Sequence, residues 1–308
     1  MTWDTNHVPD QTGRTVVVTG ATAGIGYFAA EQLAAAGADV VLASRSADKL
    51  AVAEKAIRDR VPAASIRSVV LELGSFRSVD EAAAELSALP RLDAIFLNGG
   101  AMTMQRGAKT EDGHPVILGT HVLANFRLVA GLLPALADSS TRIVHASTGF
   151  VARFPVSVDD LKHNPLIGIA AYTTAKTATE VFAFELERRL RAAASPVISI
   201  VTRPGVGVDA KTPERVGIRD ATTPYQRNPY THWAQGKDAA AWSGVRALTD
   251  PAAQGGDYFA PAAGIKGAPI LVDPTPRTAS PVGDLAERVW GQLEELSGVE
   301  LVMPGSRV

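Results

Sequence analysis

Short apolar, β-branched runs alternate along this chain with longer segments of helical periodicity. Residues 14–19, Arg-Thr-Val-Val-Val-Thr, form the kind of run that a strand covered on both faces needs. A helix is predicted through residues 27–36, ended by Gly37, a residue suited to a helix C-terminus. The rhythm then repeats. Strands are predicted at 39–43, 66–71, 93–97, 142–146 and 197–201. Helices are predicted at 49–60 (stopped near Pro62), 79–89, 116–136 and 170–194. Strands separated by helices imply parallel βαβ units, hence an α/β doubly wound sheet with helices on both faces.

Past Val201 the pattern loosens. Residues 203–236 are rich in Pro, Gly, Thr and Asn, and a loop of that length in a compact domain is usually functional or mobile. A helix at 236–249, an apolar Tyr258-Phe259 patch and an amphipathic helix at 285–296 follow, with a Pro-rich linker composition between them at 269–281. Neither an internal repeat nor a second core is evident. The expectation is one domain over 1–308, with 13–205 as core and 206–308 as substrate loop and C-terminal extension.

Composition narrows the function. Hydrophobic residues make up 46%, enough for a sizeable core, and a net charge of −2 offers no electrostatic case for nucleic acid or an anionic membrane surface. Cysteine is absent, which excludes disulfides and thiolate chemistry. The six histidines show no ligand spacing, so no metal is expected. The first ten residues lack a basic and an apolar signal region, and no uninterrupted apolar stretch approaches the length of a membrane span. The expectation is a soluble cytoplasmic protein.

Residues 19–26, Thr-Gly-Ala-Thr-Ala-Gly-Ile-Gly, sit between the first strand and the first helix. Gly20, Gly24 and Gly26 permit a tight turn and a close backbone approach, and the helix N-terminus offers free N–H groups to a pyrophosphate. Thr19, Thr22 and Ile25 complete the turn of a Rossmann-type dinucleotide site. The second strand ends Leu-Ala-Ser-Arg-Ser at 42–46, without the carboxylate that would hold an adenosine ribose. Arg45 supplies a fork for a 2′-phosphate, with Ser44 and Ser46 adding hydroxyls, so NADP(H) is preferred over NAD(H). The alternative for Arg45 is a solvated surface side chain.

Tyr172 and Lys176 stand four residues apart on a predicted helix and so share one face. An ammonium beside a phenol favours the phenolate and lowers its pKa, which suits proton exchange with an alcohol or carbonyl.

Together these residues resemble the short-chain dehydrogenase/reductase family. The glycine turn, Leu97-Asn-Gly-Gly-Ala101, Ser147-Thr148, the Tyr172/Lys176 pair and Pro204-Gly205 occur in the family's order and cover nearly the whole chain. The resemblance is nearest the retinol-dehydrogenase-like and protochlorophyllide-reductase-like branch, through Ala43-Ser-Arg45, Val158-Asp-Asp-Leu161, Gly256-Asp-Tyr-Phe259 and Arg288-Val-Trp290.

It implies hydride transfer between a nicotinamide and a small-molecule carbonyl or alcohol, with an activated C=C bond as a variant. Tyr172 would be the acid in reduction or the base in oxidation. Lys176 would hold the nicotinamide ribose and depress the Tyr172 pKa. Thr148 stands at the family's serine position and Ser147 is the second choice. Asn98, Gly99 and Gly100 would border a ribose, Pro204 and Gly205 the carboxamide, and Glu72 and Leu73 the adenine.

His121 stands where the family has a relay asparagine. It either substitutes for it, tunes the pH profile, or is a packed helical histidine; Asn125 lies one turn further on. Residues 150–168 would border the substrate pocket; the aromatic group Tyr225, Tyr230, His232 and Trp233 either lines it or, the favoured alternative, is ordinary packing of a flap, and Asp159-Asp160 would cap a helix. A homodimer or homotetramer is expected by analogy. The competing reading is a catalytically impaired NADP-binding regulatory or structural protein, against which the Tyr172/Lys176 pair argues.

Overall fold

Val16, Val17 and Val18 of β1 (Thr15–Thr19) are all fully buried, because alternate side chains of this central strand enter two different cores. β1 pairs in parallel with β2 (Asp39–Ser44) on one side and β4 (Ala94–Leu97) on the other. β3 (Ile66–Val70), β5 (Arg142–Ala146) and β6 (Ile198–Thr202) extend the sheet. β7 (Tyr258–Pro261) joins in parallel, and β8 (Pro269–Leu271) closes the edge antiparallel, giving the order β3-β2-β1-β4-β5-β6-β7-β8. This computed structural model describes residues 3–103, 105, 107–137, 139–163 and 168–304.

Helices cover both faces, as the doubly wound expectation requires. On one face α1 (Gly24–Ala35), α2 (Ala47–Arg60) and α8 (Lys237–Thr249) pack against Val16, Val18, Val40 and Leu42. The opposite core begins from Val17, Val41 and Ile95. It is covered by α3 (Phe76–Ser87), the 116–136 helix, α7 (Gly168–Ala192) and α10 (Leu285–Ser297).

The 116–136 helix consists of α4 (Val116–Leu118), a π-helical turn (Gly119–Leu123), α5 (Ala124–Leu132) and a 3-10 turn (Leu133–Leu136). By length and composition it would also cross a membrane, but 78% of its apolar window is buried inside the fold.

The Pro-rich stretch at 269–281 is not a linker. Pro269 begins β8 and pairs with Pro261, edge and end positions where a missing N–H is tolerated, and Pro276 begins α9 (Pro276–Ala279). The C-terminal helix is held by aromatic packing: Trp290 lies 5.6 Å from Phe126 and 5.8 Å from Phe182 between ring centroids. Such pairs add about 0.5–1.5 kcal/mol each beyond burial. Asp160 caps no helix either. Its carboxylate accepts from the Lys162 and His163 backbone N–H groups, a local turn such as Asp commonly makes.

Candidate active site

Sheet order places the site. The chain leaves β1 and β4, neighbours in space, toward opposite faces, and the turns following them flank the crevice at that switch point. The two turns are tied together. The Gly99 N–H donates to Thr19 Oγ1 at 2.9 Å, the Asn98 amide to the Thr19 carbonyl at 3.1 Å, and the Thr19 hydroxyl to the Phe96 carbonyl at 3.2 Å.

Gly20 has φ +67°, and a Cβ there would come within 2.9 Å of the Gly99 Cα. A Cβ on Gly26 would fall 2.7 Å from the Asn98 amide and closer still to the Gly20 carbonyl. Only glycine permits this approach, and it leaves the α1 N-terminus with no side-chain cap. The turn therefore fits a dinucleotide pyrophosphate. Beside it, a cavity of about 410 Å³ is lined by Gly24, Phe28, Lys49, Arg219 and Lys237, and the Lys237 ammonium lies 2.6 Å from Asp209. Thr22 and Ser44 share a hydroxyl contact at 3.1 Å, and Ile25 is half-buried in the turn.

Arg45 reaches out beside the turn, its side chain 69% exposed and its nearest charge the Glu72 carboxylate at 3.9 Å. That exposure leaves the guanidinium free to reorient. The Ser46 hydroxyl caps α2 by accepting from the Lys49 N–H at 3.3 Å, a role that leaves its O–H proton to donate. Glu72 accepts from the Gly74 N–H, and Leu73 packs toward Gly99, where a Cβ would lie 2.8 Å from its Cδ1. Gly205, with φ +70°, fits closely against the Ile265 carbonyl, which accepts from the Val206 N–H; the Pro204 carbonyl accepts from Gln235.

At the end of β5 the structure gathers Thr148, Tyr172 and Lys176. Lys176 is buried and its ammonium donates to the Ala146 carbonyl at 2.6 Å, 5.9 Å from the centre of the Tyr172 ring. Desolvation brings its pKa down to about 8, with Glu180 opposing.

Lys176 is not among the groups that shift the Tyr172 pKa in this structure. Burial pushes the Tyr172 phenol up to about 12, and the opposing effect comes from the Thr148 hydroxyl. Neighbours explain the burial: the Tyr172 ring packs edge-on against His121 and Phe150, with centroids 5.3 and 6.4 Å away. Thr148, the first choice for the substrate hydroxyl, also begins α6 (Gly149–Arg153). Ser147 points elsewhere: it is buried and its Oγ donates to Glu180 at 2.5 Å, since adjacent residues leaving a strand face opposite ways.

His121 sits in the π-helical turn, buried, and neither ring nitrogen has a hydrogen-bond partner among the described residues. Burial first and the Lys176 charge second hold its pKa well below the ordinary histidine value, so it is neutral. Its backbone carbonyl accepts from the Asn125 amide at 2.9 Å and from Thr179 Oγ1 at 3.4 Å. Asn125 thus occupies the carbonyl of the residue at the asparagine position.

Tyr225, Tyr230, His232 and Trp233 are exposed; the Tyr230 and Trp233 rings lie 6.3 Å apart between centroids, tilted at 47°. Part of the segment 150–168, residues 164–167, lies outside the described residues. Sequence reasoning missed Glu180, although its position four residues after Lys176 already placed it on the same helical face.

A short chain dehydrogenase family model matches residues 14–212. Mouse polyprenol dehydrogenase is 33% identical over 80% of this chain and 75% of its own length. Human retinol dehydrogenase 13 is 30% identical over 94% and 86%. Among solved structures, an uncharacterised Mycobacterium paratuberculosis protein superposes with a TM-score of 0.76 at 27% identity, over 98% of this chain and 100% of that one. A Beutenbergia cavernae protein, described as an NAD(P)-dependent gluconate 5-dehydrogenase and solved with NADP at low occupancy, gives 0.53 at 26% identity, over 65% and 74%. The chain belongs to the short-chain dehydrogenase/reductase family, in its retinol-dehydrogenase-like branch.

Proposed function

We propose that this protein is an NADPH-dependent oxidoreductase that reduces a carbonyl to an alcohol, with Tyr172 as general acid. The observation that carries the reading is the convergence of the Tyr172 phenol, the Thr148 hydroxyl and the Lys176 ammonium at the end of β5. That convergence lies beside a glycine turn that fits a pyrophosphate.

A phenol raised to about 12 is protonated at neutral pH, the form that donates to the alkoxide developing in carbonyl reduction. Thr148 would bind the same oxygen, and the nicotinamide would supply the hydride. Exposed Arg45 supports the phosphorylated cofactor, and the Beutenbergia relative was solved with NADP at low occupancy. The names of the polyprenol and retinol dehydrogenases point to an apolar alcohol or its aldehyde as the substrate class.

NADPH consumption against aldehydes, ketones and quinones, with retinal and a polyprenal among them, tests the reading with Tyr172→Phe alongside. The variant should lose about 10²–10⁴-fold in turnover while binding NADPH as before. NADPH binding without turnover in either protein would favour a regulatory binder. That second reading rests on His121, which offers no hydrogen-bonded relay side chain at the family's asparagine position.

A further inference from the structure

α7 carries a second ionisable group on the face that holds Lys176. Glu180, one turn further on, is fully buried, a placement costly for a carboxylate unless it is well partnered. Here it is. Oε1 accepts from Ser147 Oγ at 2.5 Å and from Tyr258 Oη at 2.7 Å. Oε2 accepts from Thr278 Oγ1 at 2.8 Å, a hydroxyl whose proton is shared with the Thr275 carbonyl at 2.9 Å. The donors come from the residue following β5, from β7 and from α9.

The charges around this cluster are few. Lys176 precedes it on α7, and Arg203, following β6, lies over the Tyr258 ring at 5.8 Å. His145 on β5 and His121 in the π-helical turn are buried and neutral. Burial works against both Glu180 ionisation and Lys176 protonation; the hydroxyls of Ser147, Tyr258 and Thr278, and after them the Arg203 charge, favour the Glu180 carboxylate, and the Glu180 charge favours the Lys176 ammonium.

We propose that Glu180 is a positioning residue of the active site. It is the counter-charge of the buried Lys176 ammonium and, through Ser147, ties the Thr148 segment to β7 and α9 of the C-terminal extension. The inference rests on the oxidoreductase reading above. It gives the extension a part in the chemistry that cofactor binding alone would not require.

The test compares Glu180→Gln with the wild-type full chain in two measurements. One is the pH profile of kcat/KM for NADPH-dependent reduction of the best substrate. The other is melting temperature against pH from neutral to strongly alkaline, without substrate. Between the folded Lys176 pKa of about 8 and the unfolded value of 10.5, the unfolded chain binds more protons, so stability rises with pH across that window. Removing the counter-charge should start that rise at lower pH and move the basic limb of the activity profile the same way. Glu180→Asp, which keeps the charge, should return both toward wild type.

A melting temperature lowered equally at every pH, with an unmoved limb, would reduce Glu180 to a staple and overturn the proposal. If Glu180→Gln does not fold, Tyr258→Phe and Thr278→Val carry the same comparison with smaller shifts, and unmoved curves in both overturn it. An inert wild type defeats only the oxidoreductase reading, because the melting curves still report the Lys176 titration.

Discussion

Replacing Gly100 by alanine tests whether the His121 ring keeps its place because residue 100 has no side chain. A Cβ at that position would come within 3.0 Å of three ring atoms, the farthest being Cγ at 2.8 Å, where ordinary contact begins near 3.4 Å. The backbone itself does not object, since Gly100 is not among the glycines with positive φ. Retreat is blocked by the edge-on Tyr172 ring, 5.3 Å away between centroids. Overpacking of this kind costs about 1–3 kcal/mol, and a urea slope of about 2 kcal/mol per molar turns that into a midpoint lowered by roughly 0.5–1.5 M. Urea titration of Gly100→Ala, His121→Asn and the double variant forms a cycle in which the cost of His121→Asn itself cancels. With the ring gone, the alanine should cost less than about 0.5 kcal/mol, leaving a coupling of roughly 1–3 kcal/mol. An equal cost in both backgrounds would refute the contact and place the strain in the Gly99–Ala101 backbone.

Arg45→Ala should weaken NADPH binding about 10–100-fold by fluorescence titration and leave NADH unchanged, as expected for one charge-assisted contact of about 1.5–3 kcal/mol. An equal loss for both nucleotides would show that Arg45 does not read the 2′-phosphate. His145 is buried, both ring nitrogens lack a hydrogen-bond partner among the described residues, and desolvation takes its pKa down to about 3. The unfolded chain therefore binds the extra proton between about pH 6.5 and 3, and stability is lost as pH falls through that window. His145→Leu should remove up to roughly 5 kcal/mol of that acid sensitivity at the low end. Acid unfolding midpoints that coincide in the two proteins would mean the imidazole finds a partner when protonated.

What was legible in the sequence is local, and what was not depends on which surfaces meet. The glycine turn could be read because its neighbours in sequence, a β-branched run and a helix, are also its neighbours in space; the spacing Gly20, Gly24, Gly26 carries its own geometry. Tyr172 and Lys176 were likewise visible from helical spacing alone. Their electrostatics were not, because adjacency on a helix does not say where an ammonium points. Lys176 turns to the Ala146 carbonyl, while Tyr172 is enclosed by His121 and Phe150, and burial outweighs the Thr148 hydrogen bond.

The stretch 269–281 was misread for a related reason. Composition registers four prolines as a linker, but an edge strand of three residues needs little from its own sequence when β7 supplies the partner. Ser147 and Thr148 show the finest case. The chemistry of the two hydroxyls is nearly the same, and only the strand's alternation decides that one meets Glu180 and the other Tyr172. Glu180 itself looks ordinary along the chain; its meaning appears once the residue following β5, β7 and α9 each bring a hydroxyl to it. A buried carboxylate that recruits donors from three elements depends on the completed fold, which is why the residues beyond the glycine turn and the Tyr172 helix belong to the site as much as those within it.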